Sequence, residues 1–128
     1  MPRYTPRQIE KYRRQKYIAF LEKITKNLFR MLRNESTTAA AFSKKLHDLV
    51  VQLDALEQPH METEYLRLTH AYIVRLHRQT QQEDFDDARY ADMREAEMSN
   101  LNRLQKLKNQ TDYKKEKHRK KPFSDGWE

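Results

Sequence analysis

Basic side chains interleaved with tyrosines mark the first part of this chain, and both residue types have the chemistry of nucleic-acid binding. Lysine and arginine neutralise phosphates, and tyrosine stacks on exposed bases. Tyr12 and Tyr17 accompany the basic positions. The five cations of this segment are Arg7, Lys11, Arg13, Arg14 and Lys16. The alternative interpretation is a solvated helix face whose tyrosines cover the edge of a core.

A second group of cations lies near the other end of the chain. It comprises Lys106, Lys108, Lys114, Lys115, Lys117, Arg119, Lys120 and Lys121. Basic runs of this kind occur in nucleic-acid binding, in contacts with anionic surfaces and in nuclear import, whereas the alternative is a solubilising tail. Because two separate segments agree in charge, we predict a nucleic-acid contact from both.

Two aromatic residues stand among acids at the very end of the sequence. Phe123 and Trp127 come after a long polar stretch. Asp125 lies between them, and Glu128 follows Trp127. Aromatic side chains are favoured anchors in protein interfaces, so this segment is a candidate partner-docking motif. The alternative is that Trp127 folds back against the rest of the protein.

The residue types that catalysis and metal binding require do not form a convincing group. The chain has no cysteine, no Gly-x-Ser-x-Gly motif and no glycine-rich phosphate loop. Glu57 and His60 have the Glu-x-x-His spacing of metal-binding bundles, but Pro59 interrupts the helix within the motif. His70 and His77 are two helical turns apart, and two imidazoles alone make a poor site. We therefore expect no catalytic residues, no metal and no cofactor; a metal or RNA-processing enzyme is the most distant alternative.

The charge is distributed unevenly along the sequence. The net charge is +8 over residues 1–34, −6 over residues 35–102 and +7 over residues 103–121. Two basic ends around an acidic middle suggest a polyanionic partner.

Composition favours a single all-α domain. The 128 residues are 37% apolar and 35% charged, and the lone glycine is Gly126, so the turns and bulges of a strand-rich fold have no glycine. No apolar run approaches the roughly 20 residues that span a bilayer, so we expect no membrane partner. The expected location is the cytoplasm, or the nucleus if the source is eukaryotic.

Helical spacing and capping signals predict four helices. Thr5 and Gln8 form a capping box for the first helix, which should end near Arg33 with Asn34 in a left-handed conformation. A second helix should start after one of the residues 36–38 and stop at Pro59. A third should carry Met61 to Leu76, and a fourth Phe85 to Leu107. Thr80 and Glu83 resemble a further capping box and place a break near residues 79–82; the alternative is one helix from about residue 60 to past residue 100.

These elements predict an antiparallel four-helix bundle over residues 1–107, with a basic, partly disordered extension over residues 108–128. In an up-down bundle the start of the first helix and the end of the fourth lie at the same end. The two basic segments should therefore converge, with the acidic residues 83–87 at the opposite end.

The function predicted from these features is non-enzymatic. The protein would be a helical adaptor associated with nucleic acid or a ribonucleoprotein, gripping the phosphate backbone of DNA or RNA without reading sequence. The alternative is a protein–protein interaction adaptor, chaperone or inhibitor that binds an acidic protein surface, with the C-terminal tail as its docking motif.

Overall fold

The computed structural model describes residues 5–110, and they form four α-helices. The first, α1 (Pro6–Arg33), begins as the sequence predicts. The Gln8 amide donates to Thr5 Oγ1 at 3.1 Å, and the Thr5 amide donates to Gln8 Oε1 at 2.8 Å. Its end differs from the prediction, because Asn34 has an extended backbone with φ −84° and not a left-handed one. The Asn34 amide nevertheless donates hydrogen bonds to two carbonyls at the end of α1, those of Arg30 and Met31.

The second helix, α2 (Ala39–Asp54), begins at Thr38, whose hydroxyl accepts from the Ala41 amide at 3.1 Å. It ends before Pro59 is reached, so the prediction that proline stops it is wrong. The chain instead turns at Ala55, and Leu56 packs half-buried against the core from the connection.

The third helix, α3 (Glu64–Thr80), starts later than the sequence predicts. Met61 lies in the connection between α2 and α3, where it is nevertheless buried in the core. Arg67 holds this connection by donating to the carbonyls of Met61 and Glu62. Met61 thus packs on the core without being helical. The spacing of apolar residues alone does not distinguish such a residue from one inside a helix.

The predicted break between the third and fourth helices is confirmed, but its capping residues are different. The fourth helix, α4 (Asp87–Gln110), is preceded by Asp86, whose Oδ1 accepts from the Arg89 amide at 2.9 Å. Thr80 lies buried in the last turn of α3 and donates to the His77 carbonyl, so its hydroxyl does not cap α4. Phe85 comes before α4, and α4 continues beyond Leu107.

The helices form the predicted antiparallel bundle. Each packs against the helices before and after it, and α1 packs against α4. The Tyr90 hydroxyl, near the start of α4, donates to the Met31 carbonyl at 3.3 Å, and Arg94 Nε donates to the Leu32 carbonyl. These contacts join the start of α4 to the end of α1, so the start of α1 and the end of α4 lie at the other end.

One hydrophobic core holds the four helices together. Side chains of α1, α2 and α3 supply most of it, including Leu21, Phe42 and Ile73. Burying such a side chain fully contributes about 1.5–3 kcal/mol. Most exposed positions are polar, but Ile9, Tyr12, Val51, Leu68 and Val74 are exposed as well. Within residues 5–110 no helix has the length and apolarity needed to span a bilayer.

Candidate nucleic-acid interface

The outward face of α1 carries a continuous row of exposed positions, which we call the basic stripe. Successive members are separated alternately by four and three residues, so they follow one another along a single helix face. The stripe consists of Tyr12, Lys16, Ala19, Lys23, Lys26, Arg30 and Arg33, all of them exposed. At 1.5 Å per residue it is about 32 Å long. It contains five cations and no acid.

The cations of the stripe are available to an external anion. Within residues 5–110, none of the five takes part in an ion pair. Two lie over neighbouring rings: Lys23 Nζ is 5.3 Å from the centre of Phe20, and the Arg33 guanidinium is 5.1 Å from the centre of Phe29. Such contacts orient a cation without neutralising it.

The five cations predicted near the start of α1 occupy different environments. Arg7 and Lys16 are exposed, and Lys11 is half-buried. Arg13 forms a salt bridge of 2.7 Å with Glu57 of the α2–α3 connection. Arg14 is only 8% exposed and pairs with Glu10 at 3.5 Å, so it does not face solvent as the sequence interpretation assumed.

The two tyrosines of this segment also differ. Tyr12 is 64% exposed, whereas Tyr17 is 2% exposed and lies in the core. Burial, together with the charge of Asp54, raises the pKa of Tyr17 to about 12. Tyr12 is therefore free to stack on a ligand and Tyr17 is not.

One of the two predicted basic positions of α4, Lys108, shares a groove with the second half of α1. Lys108 lines a groove of about 760 Å³ between the two helices, together with Asn102, Gln105, Glu22 and Lys26. Lys106 is exposed on the same helix. On the α1 side the groove is lined by positions between residues 22 and 34, so the first turns of α1 lie outside it.

The rest of the predicted C-terminal site lies outside residues 5–110. It comprises Lys114, Lys115, Lys117, Arg119, Lys120, Lys121, Phe123 and Trp127. Their roles in binding and docking stay predictions.

Acidic residues occupy the opposite end of the bundle, where they have structural roles. Asp87 Oδ1 accepts from the Ala39 amide at 2.8 Å and so joins the start of α4 to the start of α2. Asp86 caps α4, and Asp84 pairs with Arg89 at 2.8 Å. Residues 83–87 thus place four acids at the end of the bundle opposite the start of α1.

Histidines and acids form no larger donor group in the part of the chain described. Residues 5–110 contain no group of three or more such side chains positioned to hold a metal ion. Glu57 and His60 lie in the α2–α3 connection, and Glu57 is paired with Arg13. His77 contacts His47 of α2, with 3.0 Å between His47 Nδ1 and His77 Nε2.

Four cations of the stripe were not among the residues predicted to bind, namely Lys23, Lys26, Arg30 and Arg33. The signal was present in the sequence, because their four-and-three spacing runs opposite the apolar positions of the same helix. The clustering of charge along the sequence favours residues 7–16 instead.

Comparison with protein-family models, with curated proteins and with solved structures gives no match to this chain.

Proposed function

We propose that this protein is a non-enzymatic helical adaptor that binds the phosphate backbone of nucleic acid along the basic stripe of α1. The observation that carries the proposal is the row of five exposed cations from Lys16 to Arg33, which spans about 26 Å. Within residues 5–110 none of the five forms an ion pair. Phosphates of one strand follow one another at about 3.4 Å of rise, so this length corresponds to roughly seven or eight nucleotides.

The contacts available on the stripe are those of backbone binding. Lysine ammonium groups are point charges that attract phosphates, and arginine adds paired donors suited to phosphate oxygens. Neither requires a particular base, because phosphate contacts position a protein without reading sequence.

The proposal is tested by removing charge from the middle of the stripe. The variant Lys23→Gln, Lys26→Gln, Arg30→Gln keeps a polar side chain at each position and alters only exposed positions. Each lost phosphate contact should lower the slope of log affinity against log salt by about 0.9 on duplex DNA and about 0.7 on a single strand. Three losses should therefore lower the slope by about 2–3, with weaker binding at every salt concentration.

The matched control removes three exposed cations elsewhere. Lys44→Gln, Lys45→Gln, Arg78→Gln changes the net charge of the protein equally, but on α2 and α3. Its salt slope should stay close to that of the unmodified protein. Equal effects of the two variants would show that net charge alone drives binding, and salt-independent binding would contradict a phosphate-backbone mechanism.

A further inference from the structure

A cleft lies between the first turns of α1 and the connection from α2 to α3. Its volume is about 760 Å³, within the range of small-molecule sites. Ile9 and Tyr12 line it from α1, and Ala55 and Leu56 line it from the connection. Because α1 projects beyond the core here, an apolar and partly aromatic surface faces solvent.

Charged residues surround this apolar surface. Arg13 and Lys16 also line the cleft, and the salt bridge from Arg13 to Glu57 ties the wall formed by α1 to the wall formed by the connection. Glu57 compensates the charge of Arg13, whereas Lys16 belongs to the stripe and has no ion pair within residues 5–110. The cleft therefore joins a flat apolar surface to a free cation.

Tyr12 offers a stacking surface that the other tyrosines of the described chain do not. Tyr17, Tyr65, Tyr72 and Tyr90 are all buried. Phe29 is half-buried and carries the Arg33 guanidinium on its face. Among residues 5–110, Tyr12 is thus the tyrosine whose ring an incoming base could cover.

The geometry points to an unpaired nucleobase as the occupant of this cleft, stacked on Tyr12, and hence to single-stranded nucleic acid as the ligand class. The inference rests on the proposed function, because Tyr12 and Lys16 belong to both the stripe and the cleft. A strand whose phosphates follow the stripe brings its bases to Tyr12. A paired base in a duplex is already stacked on both faces and cannot occupy the cleft without being extruded.

The test compares Tyr12→Ala with Tyr12→Phe in the full chain. The probes are an unstructured single strand long enough to cover the stripe and the duplex of the same sequence. Loss of one stacked base should weaken single-strand binding by about 5- to 150-fold in Tyr12→Ala. Tyr12→Phe keeps the ring and should bind normally. Salt slopes should not change, since no phosphate contact is removed.

A control and a second measurement separate stacking from loss of apolar surface. Leu68→Ala removes another exposed apolar side chain, on α3, and should leave binding unchanged. A 2-aminopurine base in the strand should lose fluorescence on binding the unmodified protein, because stacking quenches it, and should stay bright with Tyr12→Ala.

The inference is wrong if Tyr12→Ala weakens single-strand and duplex binding equally, or weakens neither. In either case a salt slope that still depends on Lys23, Lys26 and Arg30 would leave the proposed function standing. Failure of the unmodified protein to bind any nucleic acid at low salt would overturn both.

Discussion

The contact between His47 and His77 links α2 to α3 through a hydrogen bond that needs one neutral nitrogen. His47 Nδ1 and His77 Nε2 are 3.0 Å apart, and the two rings are nearly parallel at 17°. Two protonated imidazoles would place N–H against N–H at this contact. Burial, and then the neighbouring His47, lower the pKa of His77, while Asp54 acts in the opposite direction.

This contact predicts that stability falls as the solution becomes acidic. The pKa of His77 is lower in the folded than in the unfolded protein, so the unfolded state binds more protons below an ordinary histidine pKa of about 6.5. Stability should be fully present above that pH and decline as the pH falls toward the folded pKa. Urea unfolding of the unmodified protein and of His77→Gln between pH 8 and pH 5 measures the difference.

His60→Gln is the control for this experiment, because His60 is exposed in the α2–α3 connection. It should keep the pH dependence of the unmodified protein, whereas His77→Gln should reduce it. A pH dependence that is unchanged in His77→Gln would show that another group is responsible.

Glu97 is a buried acid of α4 that pairs with Arg75 of α3. It is 6% exposed and accepts from Arg75 Nη2 at 3.2 Å and from Asn100 Nδ2 at 3.1 Å. Burial, and then the charge of Glu97, raise the pKa of Tyr72. Within residues 5–110 the Tyr72 hydroxyl has no hydrogen-bond partner. A carboxylate in an acidic stretch of sequence carries no mark of this burial, so the sequence did not identify it.

At the scale of elements, the first turns of α1 are the part of the basic stripe that depends least on the core. The side chains of residues 6–13 are exposed except for a half-buried Lys11. Their helical state therefore depends on local interactions, above all on the capping box at Thr5 and Gln8. Tyr12 is positioned by these same turns.

Removing the threonine N-caps of α1 and of α2 should have different consequences. Thr5→Ala should lower the stability of the first turns of α1 by about 1 kcal/mol. The amides of these turns should then exchange faster, while the melting temperature hardly changes. Thr38→Ala should lower the free energy of global unfolding by a similar amount, because Ala39 at the start of α2 is buried. Hydrogen exchange and thermal melts measure the two effects. A large fall in melting temperature for Thr5→Ala would show that the first turns are part of the cooperative unit.

The elements that the sequence predicted well are those with local signals. The start of α1 follows from Thr5 and Gln8, and the start of α2 falls at Thr38, within the predicted residues 36–38. The errors arose where two signals competed or where the chain packed without helical structure. Asp86 caps α4 in place of Thr80, because Thr80 is already buried in α3, and Met61 enters the core from a connection.

At the scale of the molecule, the sequence predicted where positive charge lies but not which cations face solvent. The basic character of residues 1–34 follows from counting. The exposure of Lys26 follows from its position opposite the apolar residues of α1. Whether Arg14 is buried or Arg13 is paired depends on which side chains of the other helices lie beside them, and no local signal gives that. The candidate interface is therefore a stripe along α1 and not the predicted cluster at its start.

The register of α1 against α4 gives the last prediction. The sequence interpretation expected the two basic segments to meet in one compact site, with residues 8 and 106 about one helix spacing, or 10 Å, apart. The antiparallel arrangement puts the start of α1 and the end of α4 at the same end of the bundle, but α1 extends further. Tyr90 contacts Met31 and Arg94 contacts Leu32, so counting along both helices brings residue 106 level with about residues 15–20 of α1. Spin labels at positions 8 and 106 should therefore be about 15–20 Å apart, given roughly 1.5 Å per residue along α1 and about 10 Å between helices.

This distance also separates two binding mechanisms. Cations more than about 10 Å apart should contribute additively, whereas neighbours should not. Arg7→Gln and Lys108→Gln should therefore have additive effects on binding of a single strand. Lys26 and Lys108 line the same groove, so the effects of Lys26→Gln and Lys108→Gln should not be additive. A label distance near 10 Å together with strong coupling between Arg7 and Lys108 would restore the compact site. A distance beyond 40 Å would contradict the antiparallel pairing of α1 with α4.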